Sequence, residues 1–503
     1  GGHRSFELHN HLIDRKRITG FGVDHRHHHI FLGAQHVFHL HGLNNGQRVA
    51  GFDFLADHRD GGHARPIVPD VAPGDVYRSL PSSPPAVGEP FAELLTDVDR
   101  LFVPATTQWQ HPGFYGFFPA DSSPPSILGE LISAGLGVQG MMWSTSPACT
   151  ELETLVLDWL VEACGLPDRF RSDGPGGGVI QDSASSASLC AVLAARDRSG
   201  GAAQLPRLRV YTSAQAHSSI EKDILVAGFA REQLRVVPTD VGFAMDADAL
   251  AAMVAADEAE GLVPCLIAAT VGTTSSGAVD PVARVCDVAG PVGAWVHVDA
   301  AWAGSATVCP EYRHLLDGLD RVDSYCFNPH KWLLTNFDCS AFFVADSGPL
   351  LDSLSIVPEY LRNAASDAGE VIDYRDWQVP LGRRFRSLKL WFVLRSYGTD
   401  GLRAHIRAHV AATTDLADRV ASNPSLEMAA PLSLGLVCFR HVDGDEASER
   451  LLATVNASGR AFLTHTRLDD RYALRVAVGG TWTTAEHVTE LADLLDALVL
   501  DGP

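Results

Sequence analysis

The chain has 503 residues, and its formal net charge of −22 at pH 7 argues against nucleic acid or an anionic membrane surface as its main partner. With 46% hydrophobic and 20% charged residues, the composition is typical of a soluble globular protein with a substantial core. The apolar runs are shorter than the roughly 20 residues that span a bilayer. The nine scattered cysteines form no CxxC pair, which predicts buried free thiols in a reducing cytoplasm.

The first 64 residues differ in composition and in hydrophobic pattern from the rest of the chain. They hold 12 of the 22 histidines and show no sustained helical or strand period. One interpretation is a metal site built from these histidines, and another is a loosely packed leader. The arginine-rich composition, typical of a GC-rich gene, favours a third interpretation, namely a coding region read out of frame before residue 64. Such a leader has no apolar i, i+3, i+4 stripe with which to cover a neighbouring apolar surface, so we expect weak dimerisation or aggregation of a chain that carries it.

Regular structure is expected from about residue 124 onward, after a segment (65–123) that is rich first in proline and then in aromatic residues. Strand-like runs lie at 207–213, 265–273, 295–300, 324–328 and 340–346, and a helix-like run lies at 188–199. This alternation predicts a largely parallel sheet with helices on both faces and a ligand at the carboxyl ends of the strands. The segment after about residue 389 predicts a smaller α+β domain.

Lys331 stands in an apolar setting within NPHKWLLTNFDCSAFFV (328–344). Only four of the 39 basic residues are lysine, so a lysine kept here suggests an amine that must lose its proton. The predicted strand at 295–300 ends its apolar alternation on Asp299, and the next predicted strand ends at Asn328–Lys331. Parallel pairing of the two strands would bring Asp299 and Lys331 together. The turn at Ser183–Ser185 opens a predicted helix, whose free N–H groups can bind phosphate. A lysine, a carboxylate and an anion site together suit pyridoxal phosphate.

Five motifs carry a resemblance to a known family: NPHKWLLTNFDCSA, HVDAAWAGSA, AQAHSSIEKD, SPACTELETLVLDWL and DYRDWQVPLGRRFRSLKLWF. Over roughly residues 65–500 the chain resembles the aromatic-L-amino-acid decarboxylases, which are group II pyridoxal-phosphate decarboxylases. The resemblance implies an α/β fold of the fold-type-I, aminotransferase-like class, and a cytoplasmic homodimer with active sites at the interface. It implies a segment packing on the partner (65–123), a large cofactor-binding domain (124–388) and a small C-terminal domain (389–503), with no metal.

The same resemblance implies roles for individual residues. Lys331 would hold the cofactor covalently, Asp299 would pair with its ring nitrogen, and His217 would stack on its ring. Further cofactor contacts are implied at Ser183, Ala184, Ser185, Thr274, Ala301, Asn328, His330 and Gly382. Tyr360, on a family-like mobile loop, would return a proton to the substrate after CO₂ leaves. Relatives that make aldehydes replace this tyrosine or the histidine, and both are present here.

The aromatic segment WQHPGFYGFFPAD suits a pocket for an aromatic side chain. The expected pocket residues are Trp109, Phe118, Pro119, Ala120 and His217, with Phe114 and Phe117 nearby. Gly382 stands where phenol-preferring plant relatives carry serine, which favours an indole substrate within a class of tryptophan, 5-hydroxytryptophan, DOPA, tyrosine and phenylalanine. Ala120 replaces the family threonine. The alternatives are an aldehyde synthase, a decarboxylase of a non-aromatic amino acid, and a non-catalytic metal-binding or assembly protein.

Overall fold

The structure is a computed structural model that describes residues 65–356 and 370–500. The histidine-rich leader and Tyr360 lie outside these ranges. The helices are α1 (Asp75–Ser79), α2 (Phe91–Asp97), α3 (Pro124–Leu136), α4 (Pro147–Cys164), α5 (Ala184–Arg198), α6 (Gly201–Gln204), α7 (Ser219–Val226), α8 (Ala247–Ala259), α9 (Val282–Val292), α10 (Pro329–Trp332), α11 (Gly348–Leu354), α12 (Arg386–Ser422), α13 (Asp445–Ala457) and α14 (Ala485–Leu500). Within these ranges no helix is both long and apolar enough to cross a membrane.

A seven-stranded sheet forms the centre of the larger part, with strand order β1-β7-β6-β5-β4-β2-β3. Its strands are β1 (Gly177–Gln181), β2 (Leu208–Ser213), β3 (Leu234–Val237), β4 (Val263–Thr270), β5 (Trp295–Asp299), β6 (Ser324–Phe327) and β7 (Ser340–Val344). Strands β2 to β6 pair in parallel, which confirms the expected, mostly parallel sheet. Strand β7 is antiparallel to both of its neighbours, β1 and β6.

Both faces of this sheet are covered, which explains why its strands are almost continuously apolar. All five residues of β5, WVHVD, are buried. Side chains alternate between the faces, so Val179 and Ile180 of β1 belong to two different core clusters. Helices α5, α7 and α11 pack together on one side. Polar side chains of this sheet can therefore reach solvent or a ligand only at the ends of its strands.

A second, four-stranded antiparallel sheet forms the smaller C-terminal part, with strand order β10-β11-β9-β8. Its strands are β8 (Leu426–Met428), β9 (Leu436–His441), β10 (Thr464–Leu468) and β11 (Arg471–Ala477). Helix α12 begins three residues before the expected domain boundary at 389, and is broken at Gly398, where φ is 62°. The aromatic segment is attached to this part, because Tyr115 N donates to Phe462 O at 2.9 Å. That attachment places the following residues beside the strand ends of the large sheet.

Candidate active site

A cavity of about 240 Å³ lies at the carboxyl ends of the central strands. It brings together most of the residues that the sequence singled out. The sequence-predicted residues that line it are Phe118, Ser183, Ala184, Ser185, His217, Thr274, Asp299, Ala301, Asn328, His330 and Lys331. They come from six separate stretches of the chain, and strand ends and helix starts hold them in place.

Asp299 is the last residue of β5 and is buried. Its Oδ1 accepts a hydrogen bond from Ala301 N at 2.9 Å, so the backbone turn that leaves the strand fixes the carboxylate. Ala301 O in turn accepts from Asn328 N at 2.9 Å, which ties the end of β5 to the end of β6. These two hydrogen bonds therefore fix the position of Asp299 relative to the segment that carries Lys331.

Lys331 lies in the short helix α10, whose first residue is Pro329, and its backbone N donates to Asn328 O at 2.9 Å. Burial lowers the pKa of the Lys331 amine, while the negative charge of Asp299 opposes that shift. The ammonium form is thus disfavoured here, and Nζ lies 5.5 Å from the centre of the Phe118 ring. An amine that loses its proton more easily than usual is a better nucleophile toward an aldehyde.

The start of α5 supplies the anion site. Ser183 is the N-cap residue, and its Oγ accepts a hydrogen bond from Ser186 N at 3.2 Å. The first backbone N–H groups of the helix face the same cavity as Lys331, at the positive end of the helix dipole. Asn328 Oδ1 is buried, and among the described residues it has no hydrogen-bond partner. An unpaired polar atom, a phosphate-sized helix start and a deprotonatable amine together fit a phosphorylated aldehyde such as pyridoxal phosphate.

His217 lies at the start of α7, and its Nδ1 accepts a hydrogen bond from Ser219 N at 3.2 Å. This contact assigns the ring proton to Nε2. Burial lowers the pKa of His217, and Lys331 lowers it further against the opposing effect of Asp299. The imidazole is therefore neutral at pH 7, and a flat neutral ring can pack against another ring.

The sequence did not single out five further residues that line the cavity, namely Ser219, Thr270, Gly272, Trp302 and Phe337. Trp302 stacks on Phe118 with a centroid separation of 4.3 Å and on Trp332 at 4.9 Å. Its position directly after HVDAA could have drawn attention to it. Phe337 lies in the same motif as Lys331 and could have been found in the same way.

Arg475 of β11 is a further residue near the site that the sequence did not single out. Its guanidinium carbon is 5.3 Å from the Phe118 ring centre, and it donates to Thr464 Oγ1 at 3.2 Å. Its side chain is buried, and among the described residues it forms no ion pair. The positive charge of Arg475 helps to lower the pKa of Lys331. No local signal reveals this residue, because it reaches the Phe118 ring only through contacts between segments that are distant in the chain.

Four predicted site residues do not line this cavity within one chain: Trp109, Pro119, Ala120 and Gly382. Trp109 is exposed and stacks on Phe117 with a centroid separation of 5.6 Å. Gly382 is also exposed, and its carbonyl accepts from Gln378 Nε2 at 3.4 Å. Tyr360 lies outside the described residues. In the described ranges, no cluster of histidine, cysteine, aspartate or glutamate side chains is arranged to hold a metal ion.

Comparison with known proteins agrees with this chemistry. The model of the pyridoxal-dependent decarboxylase conserved domain matches residues 73–442. The chain is 45% identical to a phenylacetaldehyde synthase from Arabidopsis thaliana, covering 87% of this chain and 92% of the relative. It is 42% identical to an aromatic-L-amino-acid decarboxylase from Mus musculus, covering 87% of this chain and 93% of the relative.

The fold is also found among solved structures. A crystal structure of Oryza sativa TDC with PLP and tryptamine superimposes with a TM-score of 0.89, at 42% identity, covering 92% of this chain and 99% of that one. The expected fold-type-I architecture and the expected cofactor, pyridoxal phosphate, are thereby confirmed. Since the family model covers most of the chain and the relatives match nearly their whole length, this chain belongs to the pyridoxal-dependent decarboxylase family.

Proposed function

We propose that this protein decarboxylates an aromatic L-amino acid to the amine and CO₂, as a cytoplasmic homodimer. The observation that carries the proposal is the cavity itself, in which the half-buried, easily deprotonated amine of Lys331 and the buried carboxylate of Asp299 meet an aromatic wall. Phe118 and Trp302 form that wall as a stacked pair, and Phe337 completes it. Aromatic walls favour substrates with an aromatic side chain.

Each residue would have a distinct task. Lys331 would hold the cofactor through its aldehyde, because its amine loses a proton more easily than usual. Asp299 would accept a hydrogen bond from the cofactor ring nitrogen and keep that nitrogen protonated, and the helix start at Ser183–Ser185 would bind the phosphate. When bound, pyridoxal phosphate supplies the electron sink that lets the α-carbon lose CO₂. Asn328 Oδ1, which has no hydrogen-bond partner in the part of the chain that the structure describes, would accept from a polar group of the cofactor or the substrate.

The remaining tasks concern orientation and the returning proton. His217, neutral and with its ring oriented by Ser219, would stack on the cofactor ring. Tyr360 would return a proton to the α-carbon, as the resemblance implies. Both residues are present, which favours the amine over the aldehyde, although one relative is named a phenylacetaldehyde synthase. The aldehyde synthase is therefore the second candidate.

The dimer proposal rests on surface that one chain leaves uncovered. Helix α2 buries none of its residues within the chain, and Leu94 on it is 45% exposed. Around Gly382, the side chains of Val379 and Leu381 are 57% and 50% exposed. Exposed apolar side chains in two such segments support an interface with a second copy. Gly382 and Trp109 would then contribute to a pocket completed at that interface.

Product analysis tests the proposal. Purified protein with pyridoxal phosphate would be incubated with tryptophan, 5-hydroxytryptophan, DOPA, tyrosine, phenylalanine and glutamate, and CO₂, amine, aldehyde and hydrogen peroxide would be measured. We expect CO₂ and amine in equal amounts, with tryptophan or 5-hydroxytryptophan used at least as well as tyrosine because Gly382 leaves room. Lys331→Ala should abolish turnover and the visible absorbance of bound cofactor, and the matched Lys222→Ala should keep both. Aldehyde with peroxide would favour the second candidate, and turnover of glutamate alone would refute the aromatic assignment.

Sedimentation tests the dimer separately. We expect the protein to sediment as a dimer at micromolar concentration, and cell fractionation should recover it in the cytoplasm. A monomer with full activity would contradict the shared pocket but not the decarboxylation.

A further inference from the structure

A line of buried hydrogen-bonding side chains leads to Asp299 through β5 and β6. Alternate residues of a strand point to the same side, so Trp295, His297 and Asp299 of β5 share a face. The parallel register places Ser324 beside His297 and Cys326 beside Asp299. These neighbours of Asp299 are almost fully buried, so water cannot substitute for any of their contacts. Each polar atom in the line therefore relies on its protein neighbour, and not on water, for a hydrogen-bond partner.

The direction of the first two hydrogen bonds follows from the chemistry of the donors. Trp295 Nε1 lies 2.7 Å from Ser324 Oγ, and an indole N–H can only donate. Ser324 Oγ therefore accepts, and its own proton is left for His297 Nδ1 at 2.9 Å. Burial lowers the pKa of His297 to about 4, so the ring carries a single proton at neutral pH. That proton is assigned to Nε2 because Nδ1 accepts.

The second half of the line reaches the carboxylate through sulfur. His297 Nε2 lies 3.1 Å from Ser188 Oγ and 3.8 Å from Cys326 Sγ. Cys326 Sγ lies 3.9 Å from Asp299 Oδ1. Burial raises the pKa of the Cys326 thiol well above its ordinary value, and the negative charge of Asp299 raises it further. The thiol therefore keeps its proton, and the carboxylate is the stronger acceptor within its reach.

We propose that Cys326 is a positioning residue, whose thiol donates to Asp299 Oδ1 and, with Ala301 N–H, leaves Oδ2 to accept a hydrogen bond from the protonated ring nitrogen of the cofactor. This inference rests on the proposed pairing of Asp299 with that nitrogen. Two donors on one oxygen fix the rotation of the carboxylate, and neutral donors stabilise its negative charge in a buried setting. A thiol is a weak donor and the contact is long, so its contribution is expected to be modest.

The test compares two ligands that differ only at the ring nitrogen. Dissociation constants of the cofactor-free protein would be measured by tryptophan fluorescence for pyridoxal phosphate and for its analogue with carbon in place of that nitrogen. The ratio of the two constants isolates what the protein gains at the nitrogen. We expect the wild-type protein to prefer pyridoxal phosphate. We expect Cys326→Ala to reduce that preference about threefold, at the low end for a hydrogen bond, because a thiol is a weak donor and the contact is long.

Two further variants make the result specific. Cys326→Ser supplies a hydroxyl donor at the same position and should recover at least part of the preference. Cys265→Ala removes an equally buried thiol from β4 of the same sheet, and should leave the ratio unchanged. A general loosening of the fold would weaken the binding of both ligands equally, and would leave the ratio of their dissociation constants unchanged.

Each outcome has a separate meaning. A wild-type protein that does not distinguish the two ligands would overturn the pairing of Asp299 with the ring nitrogen, and with it the basis of the inference. A wild-type preference that Cys326→Ala leaves intact would overturn the positioning role alone. Equal weakening of both ligands by Cys326→Ala, or a serine variant no better than alanine, would also overturn it.

Discussion

Replacing Arg383 with methionine is expected to destabilise the protein by about 3–5 kcal/mol, because the change leaves a buried carboxylate without its counter-charge. The side chains of Arg383 and Glu153 are 1% and 4% exposed and form an ion pair. Glu153 Oε1 also accepts from Ile180 N at 2.8 Å, and Arg383 Nη1 donates to Gln378 Oε1 at 3.1 Å. The pair thus joins β1 to the segment that carries Gly382.

A double-mutant cycle separates the pair from its surroundings. Glu153→Gln keeps an acceptor for the Ile180 amide but leaves Arg383 as an unpaired buried cation, so it should also be strongly destabilising. The double variant Glu153→Gln/Arg383→Met contains no buried charge, and should cost less than the sum of the single changes by about 2 kcal/mol or more. An exposed pair provides the control. Arg284 and Asp248 are 58% and 87% exposed, and their coupling should stay below about 1 kcal/mol.

Urea unfolding followed by circular dichroism gives the free energies for both cycles. Strictly additive costs at Glu153 and Arg383, or single changes that cost no more than those of the exposed pair, would refute the argument from burial. A second measurement connects stability to the site. Because β1 leads directly into the helix start at Ser183–Ser185, the Arg383→Met variant should also bind pyridoxal phosphate more weakly, as fluorescence titration would show.

Three further changes have clear expected outcomes. Asp299→Asn should leave the protein folded but remove most turnover, and near-normal turnover in a steady-state assay would contradict the role of the carboxylate. Tyr360→Phe should retain cofactor while amine formation falls and aldehyde appears in the presence of oxygen, and an unchanged amine yield would show that another group delivers the proton. Burial lowers the pKa of His409 to about 4, so the unfolded chain takes up a proton near pH 6.5 that the folded protein refuses until about pH 4. The wild-type protein should therefore lose up to about 3 kcal/mol relative to His409→Gln between pH 7 and pH 4 in urea titrations, and a constant difference between the two would refute this.

The sequence predicted the parts of the site that are local or lie at successive strand ends. Asp299 and Lys331 follow neighbouring parallel strands, so a correct fold class already brings them to one edge of the sheet. Ser183 was identified from a glycine-rich run, a strand and a helix start. The family resemblance supplied His217, which by itself would look like an ordinary polar residue near a helix start. The comparisons confirm the family, the fold and the cofactor.

The sequence did not predict features that depend on packing between distant segments. Strand β7 is antiparallel to its neighbours, and a pattern of alternating strands and helices does not reveal this direction. Arg475 lies far along the chain and reaches Phe118 only because the second sheet packs against the first. The line from Trp295 to Cys326 requires the pairing register of two strands, and one sequence does not fix that register.

Burial around Lys331 connects these distant features to the chemistry. A buried ammonium is costly, so the site favours the neutral amine, and Arg475 strengthens that preference by adding positive charge nearby. Asp299 acts in the opposite direction, since its negative charge favours the protonated lysine. The site thus needs a carboxylate beside the cofactor ring and a neutral amine at Lys331. Both are possible when the carboxylate pairs with the cofactor ring, because that partner neutralises the negative charge that otherwise favours protonated Lys331. Binding of the cofactor and deprotonation of Lys331 should then promote each other, through a carboxylate that the backbone of Ala301 holds in place.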